Sequence, residues 1–226
     1  MKYSIYSLLC TLTICICVEK SLAHEVYNLT ASDQKNITWA AFGFDPGFLI
    51  DIGYARGIEI PGLNRILDVT VDFSSPIFTF DFKHYKIDAG TRIPFFTSNW
   101  NIINRFGIAG KGTDNEIYSS HLLSIKEGLV SGYFSEMWFC AIEATFEKYL
   151  LSKVKHTTYY KTIYPGVKSG WYKSTGGKWC FALQAGYTIK NIVEPTIRIG
   201  TYWHEQFSAP IMTMPVFADI SLNVRF

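Results

Sequence analysis

The chain has 226 residues, a length typical of one domain. Its formal net charge of only +2 excludes the strongly basic surface typical of proteins that bind nucleic acid, so no nucleic-acid partner is expected. Aromatic residues make up 16% of the chain and charged residues only 18%. Yet after the N-terminus no segment reaches the roughly 20 apolar residues of a membrane helix. The apolar residues therefore either fill a β core or alternate along strands.

Residues 1–23 predict a secretory signal peptide. Lys2 is followed by a short apolar run, and the segment closes with small residues that end at Ala23. A short membrane anchor is the alternative, because two charged residues interrupt the region where cleavage would occur. We expect residues 24–226 to form a single domain outside the cytoplasm.

Apolar and polar residues alternate along ten later segments, and this period of two predicts β-strands. The segments are 36–44, 47–58, 65–75, 84–94, 99–111, 121–134, 136–147, 178–189, 192–203 and 216–226. The pattern is less regular in the fifth and sixth, where Asn104 and Glu127 fall on the apolar face. The first segment is included because bacterial membrane barrels have an even number of strands. Eight strands are the alternative, if two of the weaker segments are not strands.

Alternation alone fits both a soluble β-sandwich and a transmembrane β-barrel. The polar faces combine small residues with charges of both signs, which suits a narrow lumen better than an open surface. Aromatic residues also gather at strand ends, where an interfacial girdle would lie: Trp100, Tyr133, Trp138, Trp179, Tyr187, Tyr202 and Phe226. We therefore predict an all-β fold, a transmembrane antiparallel up-and-down β-barrel of ten strands. The soluble sandwich is the alternative fold.

The last segment, "FADISLNVRF", alternates apolar and polar residues and ends on Phe226. It resembles the C-terminal signal of bacterial outer-membrane β-barrel proteins, which their assembly machinery reads. Residues 166–226 also look like the end of small barrels of this class. The resemblance implies a location in the outer membrane of a Gram-negative bacterium. It also implies lipid, lipopolysaccharide and the barrel assembly machinery as partners, and we expect a monomer.

The polar faces of the predicted strands carry charged residues that are expected to point into the lumen. They are Asp51, Asp68, Asp72, Lys86, Asp88, Arg92, Arg105, Lys126, Glu143, Glu147, Glu194, Arg198, Asp219 and Arg225. Side chains fill a barrel of about eight strands, whereas wide aqueous channels need about 16. Because an unpaired buried charge costs several kcal/mol, we expect these residues to form an ion-pair network. A narrow polar conduit and a catalytic cluster are the alternatives.

Residues 148–177 predict a long external loop that is rich in lysine and aromatic residues and lacks acidic ones. We expect five of its lysines to form an anion-binding loop that contacts lipopolysaccharide or another anionic partner: Lys153, Lys155, Lys161, Lys168 and Lys173. The alternative is that they only solvate a long loop. The first part, "FEKYLLSKVKH", predicts a short amphipathic helix.

No cofactor and no metal site are predicted, because histidines are scattered singly and only two cysteines follow the signal peptide. Those two, Cys140 and Cys180, fall on opposite strand faces, which predicts two free thiols. Ser119 and His121 share a strand face, but the pattern provides no carboxylate to orient the histidine. No catalytic residue is therefore assigned.

The sequence favours a structural or surface-interaction role, in which the external loop contacts lipopolysaccharide or another anionic partner. A narrow porin-like conduit for ions or small solutes is the alternative. A membrane-embedded lipid-modifying enzyme is the second alternative, although no nucleophile with a complete set of catalytic partners supports it.

Overall fold

The computed structural model describes residues 35–44, 48–60, 65–77, 83–95, 98–173, 176–204 and 216–226. These residues form eleven strands and one helix. The strands are β1 (Asn36–Phe44), β2 (Phe48–Ile60), β3 (Arg65–Pro76), β4 (His84–Pro94), β5 (Trp100–Asp114), β6 (Tyr118–Phe134), β7 (Trp138–His156), β8 (Gly170–Lys173), β9 (Gly177–Tyr187), β10 (Val193–His204) and β11 (Val216–Arg225). The helix, α1, spans Thr158–Ile163. No helix within the described ranges is long and apolar enough to cross a membrane. The predicted signal peptide lies outside the described residues.

The sheet closes on itself as a barrel of ten antiparallel strands. Strands β1 to β7 pair in chain order, β7 then pairs with β9, and β9, β10 and β11 follow. The last strand returns to the first, with Ile37 opposite Arg225 and Phe44 opposite Ala218. Strand β8 pairs only with β7 among the described strands and is not part of the wall. The predicted ten-stranded barrel is confirmed, and the eight-stranded alternative is wrong.

The two ends of the barrel differ in their connections. One end, called the short-turn end, carries Phe226 and the connections 135–137 and 188–192. In the second of these turns Lys190 and Asn191 have φ values of 51° and 57°. Positive φ at both central residues is the type I′ geometry whose twist matches that of the flanking strands. The other end is called the long-loop end, because the chain between β7 and β9 lies there.

Side chains along each strand alternate between an apolar outer face and a polar lumen. On β11, Ile220 is 62% exposed while the neighbouring Asp219 is 2% exposed. The same inversion holds on β9, where Leu183 is 63% exposed and Gln184 only 3%. This is the reverse of a soluble protein, whose large apolar side chains are mostly inside. The polar face of the sheet is therefore the enclosed one.

Most of the aromatic residues predicted at strand ends lie on the outer surface. At the short-turn end, the Tyr133 ring lies 5.7 Å from the Trp100 ring and 5.1 Å from that of Trp138. Tyr202 is the exception, because it is only 8% exposed and faces the lumen. Its placement in the outer girdle was wrong. Tyr202 follows Arg198 by four residues on β10, and the strand period of two therefore places both side chains on the inner face.

The amphipathic helix predicted in "FEKYLLSKVKH" is also wrong, because this segment continues β7 as far as His156. The outer half of β6 provides the partner edge, with Tyr118 opposite His156. The register shifts between Leu123 and Ser124, and this β-bulge accommodates one extra residue of β7. The helix comes later, and Thr157 caps its N-terminus by accepting a hydrogen bond from Tyr160 N. Residues 148–173, called the extension below, thus contain strand, helix and a short second strand.

Candidate functional site in the barrel lumen

All fourteen charged residues predicted to face the lumen lie on the inner faces of the strands. Twelve of them are buried, while Arg105 and Lys126 are half-buried. Because the strand register places them at different heights, they divide into separate groups along the lumen.

The group nearest the short-turn end surrounds Glu194 and is called the Glu194 cluster. Arg225 Nη2 lies 2.6 Å from Glu194 Oε2, and Thr188 Oγ1 donates to the same oxygen at 2.8 Å. Asn223 Nδ2 donates to the other oxygen, Oε1, at 3.2 Å. Glu194 is 0% exposed and Arg225 2%. Both oxygens of this buried carboxylate are thus satisfied, as a buried charge requires.

The middle of the lumen is cross-linked through Glu143. Arg198 binds it in a bidentate manner, with Nε to Oε2 at 2.9 Å and Nη2 to Oε1 at 3.0 Å. Arg105 Nη1 donates to Oε1 from the opposite side at 2.9 Å, and Gln184 Nε2 donates to Oε2 at 2.9 Å. Charge-assisted bidentate bonds are among the strongest hydrogen bonds in proteins. One carboxylate therefore joins β5, β7, β9 and β10 across the barrel.

A lysine-rich group lies farther toward the long-loop end. Asp88 Oδ2 accepts bonds from Lys86 Nζ, at 2.8 Å, and from Lys126 Nζ. Glu147 Oε1 accepts bonds from Lys111 Nζ, at 2.7 Å, and from Ser124 Oγ, at 2.6 Å. Three lysines are thus matched by two carboxylates.

Two buried lysines were not expected in the lumen. Lys111 is 8% exposed and Lys178 is 3% exposed, and neither residue is among the fourteen predicted from the sequence to face the lumen. Period two could have identified both. Lys111 continues the inward series of Arg105 and Ala109, and Lys178 precedes the inward Cys180 by two residues.

Lys178 differs from the other lumen lysines in its contacts. Its Nζ is buried and has no hydrogen-bond partner among the described residues. It lies 4.1 Å from the centre of the Tyr202 ring, a cation–π contact. Glu147 is opposite Lys178 in the register of β7 and β9.

The wall formed by β2 and β3 is acidic. Asp51, Asp68 and Asp72 are all buried there, at 2%, 5% and 2% exposure. Trp39 Nε1 donates a hydrogen bond to Asp51 Oδ1 at 2.8 Å, and Arg92 is opposite Asp68 in the strand register. Three acidic side chains are therefore concentrated on this wall of the lumen.

A cavity of about 50 Å³ opens among the middle and lysine-rich groups. Its charged lining comprises five basic and three acidic side chains: Lys86, Arg105, Lys126, Lys178, Arg198, Asp88, Glu143 and Glu147. A space of this size holds a few water molecules. Water or a small ion therefore fits there, whereas a sugar does not.

The five lysines predicted to bind anions lie on the extension and are all exposed. They do not converge on one pocket, since they are spread over β7, α1, the following loop and β8. Lys153 Nζ lies 5.4 Å from the centre of the Trp171 ring, which is 67% exposed. Nearby, burial and then Lys161 lower the pKa of His156 from its usual 6.5.

The remaining candidate residues do not form a catalytic or metal site. His121 Nδ1 lies 3.5 Å from Tyr85 Oη, which is a phenol and not an orienting carboxylate. No group of three or more His, Cys, Asp or Glu in the described part of the chain is arranged to hold a metal ion. Cys140 is exposed on the outer face and Cys180 is buried in the lumen, and both thiols are free, as predicted. Phe226 is 59% exposed at the short-turn end.

No protein-family model matches the chain, and no curated protein sequence matches it. Among solved structures, a chain described as "KdgM porin" is similar, with 9% sequence identity and a TM-score of 0.42. The match covers 84% of this chain and 99% of the other.

Proposed function

We propose that this chain is a transmembrane β-barrel of a bacterial outer membrane that forms a narrow polar conduit for small ions. The observation that carries the proposal is the inversion of its two faces. Large apolar side chains cover the outside, and buried charged side chains surround a small cavity inside.

The outer face supports placement in a membrane. The ten strands of the wall have nine to nineteen residues, and a tilted strand needs about 9–11 to cross a bilayer. Monomeric soluble proteins rarely expose continuous apolar surface of this extent, because water disfavours it. The aromatic groups at the two rims suit the polar boundaries of the bilayer.

The inner face supports a conduit of small bore. The lumen is polar along its length, and α1 buries none of its residues, so this helix is not a plug. The ion pairs leave the cavity between them, and ten strands are far fewer than the about 16 of a wide porin. We rank the conduit above the surface role that the sequence favoured, because the ion pairs leave a cavity whose lining has five basic and three acidic side chains.

The proposal is tested by expressing the full chain in a Gram-negative host. We expect it in the outer-membrane fraction, with different gel mobility before and after boiling in detergent. In a planar bilayer it should conduct with small unitary steps, well below those of a 16-stranded porin recorded alongside it. Soluble protein without a mobility shift would contradict the membrane barrel. A heat-modifiable barrel that does not conduct would contradict the conduit alone.

A second function, contact with anionic lipopolysaccharide, is favoured by the extension. Strands β6 and β7 have 17 and 19 residues and so exceed the span of a bilayer. The excess length holds exposed lysines beside exposed aromatic rings, as for Lys153 and Trp171. Near an anionic lipid surface each such lysine contributes about 1 kcal/mol of attraction.

Co-elution with lipopolysaccharide from a sizing column tests this second function. We expect soluble lipopolysaccharide to elute together with the barrel. This co-elution should be lost in a variant with five changes to Gln, at Lys153, Lys155, Lys161, Lys168 and Lys173. The control is Lys190→Gln, which removes an exposed lysine at the opposite end. Equal retention by the five-fold variant and the control would contradict the contact.

A further inference from the structure

The Lys178 ammonium is an unusual group for a protein interior. It is 3% exposed, and no described nitrogen or oxygen atom accepts a hydrogen bond from it. By contrast, Lys86, Lys111 and Lys126 each have a carboxylate partner. An ammonium has three donors, and leaving them unmatched away from water is costly.

The carboxylates near Lys178 already have partners. Glu147, the nearest in register, accepts bonds from Lys111 and Ser124. Glu143 is occupied by two arginines and Asp88 by two lysines. The cavity lining holds five basic side chains and three acidic ones, an excess of two positive charges. Including the bonded neighbours Lys111 and Asp219 gives six against four, which leaves the same excess.

We propose that this cavity binds a small inorganic anion, the size of chloride or phosphate, with Lys178 as its principal ligand, and that the conduit is therefore anion-selective. The inference rests on the proposed conduit and names the solute that it carries. An anion at Lys178 would supply the missing acceptor for the ammonium donors. The cavity volume of about 50 Å³ limits the ligand to a small ion.

The position of Lys178 also suits an entry site. It is the second residue of β9 and lies toward the long-loop end, from which the extension projects. The exposed lysines of the extension raise the local concentration of anions outside this mouth. Anions gathered there would meet Lys178 before they reach the Glu143 cross-link.

Ion selectivity in a planar bilayer tests the proposal with the full chain purified in detergent. Under a potassium chloride gradient, we expect the reversal potential of the wild type to show that chloride is more permeant than potassium. Lys178→Gln should lower this permeability ratio several-fold, and Lys178→Arg should retain it. Added phosphate should reduce the chloride current of the wild type but not of Lys178→Gln. Lys190→Gln at the exposed turn is the matched control and should behave as the wild type.

The possible failures are distinguishable. A conducting barrel that prefers potassium, or whose selectivity Lys178→Gln leaves unchanged, would overturn the anion site and leave the conduit standing. A folded barrel that does not conduct would overturn the conduit. Urea unfolding in sodium chloride and in sodium gluconate would then test whether the anion site exists. Chloride should raise the unfolding midpoint of the wild type and not of Lys178→Gln, because ligands stabilise the state that binds them. Equal midpoints would overturn the site.

Discussion

The Glu194 cluster and the surroundings of Lys178 are both buried in the lumen, but they handle charge in opposite ways. At the short-turn end, Glu194 receives bonds from Arg225, Asn223 and Thr188, so both oxygens of its carboxylate are satisfied. Toward the other end, Lys178 lies over the Tyr202 ring without a described hydrogen bond, and the lining of the cavity beside it has more basic than acidic side chains. The first arrangement contributes to stability. The second arrangement lowers the stability of the fold, and it leaves the Lys178 ammonium available to bind the proposed anion.

Among the substitutions that test this comparison, loss of the Arg225 side chain should have the largest effect on the free energy of unfolding. Arg225→Met leaves Glu194 charged and buried without its counter-ion, and removing one partner of a buried pair costs about 3–5 kcal/mol. Urea unfolding of the detergent-folded barrel, followed by tryptophan fluorescence, measures the free energy of unfolding. The double variant Glu194→Gln/Arg225→Met should recover most of the loss. A single-variant loss below about 1 kcal/mol would contradict the stabilising role of the cluster.

Loss of Lys111 should have an intermediate effect. Its Nζ lies 2.7 Å from Glu147 Oε1, and hydrogen bonds to charged groups contribute about 1.5–3 kcal/mol. We expect Lys111→Met to lower the free energy of unfolding by about that amount in the same assay. Lys190→Met, at an exposed position, provides the baseline. No difference between the two variants would contradict a stabilising contribution from the ion pair between Lys111 and Glu147.

Lys178→Met should cost little or nothing in the absence of a bound anion. The substitution removes a buried ammonium that has no hydrogen bond to lose among the described residues, and it retains a side chain of similar length. In sodium gluconate we expect its free energy of unfolding to equal or exceed that of the wild type. A loss as large as that of Lys111→Met would mean that Lys178 is an ordinary member of the network.

The smallest effect concerns a charge outside the barrel wall. His156 lies at the end of β7, and its ring stacks on Tyr160 at 5.3 Å. Burial and the nearby Lys161 lower its pKa, so the folded extension favours the neutral imidazole. The resulting stability of the extension is complete above pH 6.5 and declines as the pH falls through and below that value. An NMR titration should give a midpoint below 6.5, and Lys161→Gln should raise it. A midpoint at or above 6.5 would contradict this.

The strands and their facing were predictable because one physical requirement governs every residue of the wall. Along each strand of the wall the outward side chains are apolar and the inward ones polar, so the alternation of Ile220 and Asp219 alone indicates which side each residue faces. Strand ends were less predictable. Where β7 extends beyond its pairing with β9, the course of residues 149–156 depends on the edge that β6 offers. Sequence composition alone does not reveal that edge.

The pairing of charges inside the lumen was not predictable either. The choice of Arg198 and Arg105 as partners of Glu143 depends on the register of four strands, and a shift of one residue would reverse every side chain. Lys178 was missed because its neighbours resemble the basic loop that precedes it. Only its even spacing from Cys180 indicated an inward direction.

The seam between β1 and β11 has a consequence for the order of assembly. It pairs Ile37 with Arg225, near opposite ends of the described chain, whereas β6 and β7 are joined by a turn of three residues. Closing a long loop carries a greater entropic cost than closing a hairpin, so contacts between distant residues form late. We expect the seam to form last. Until then the sheet has two open edges that can pair with other chains, and a growing barrel of this kind benefits from a template that shields them.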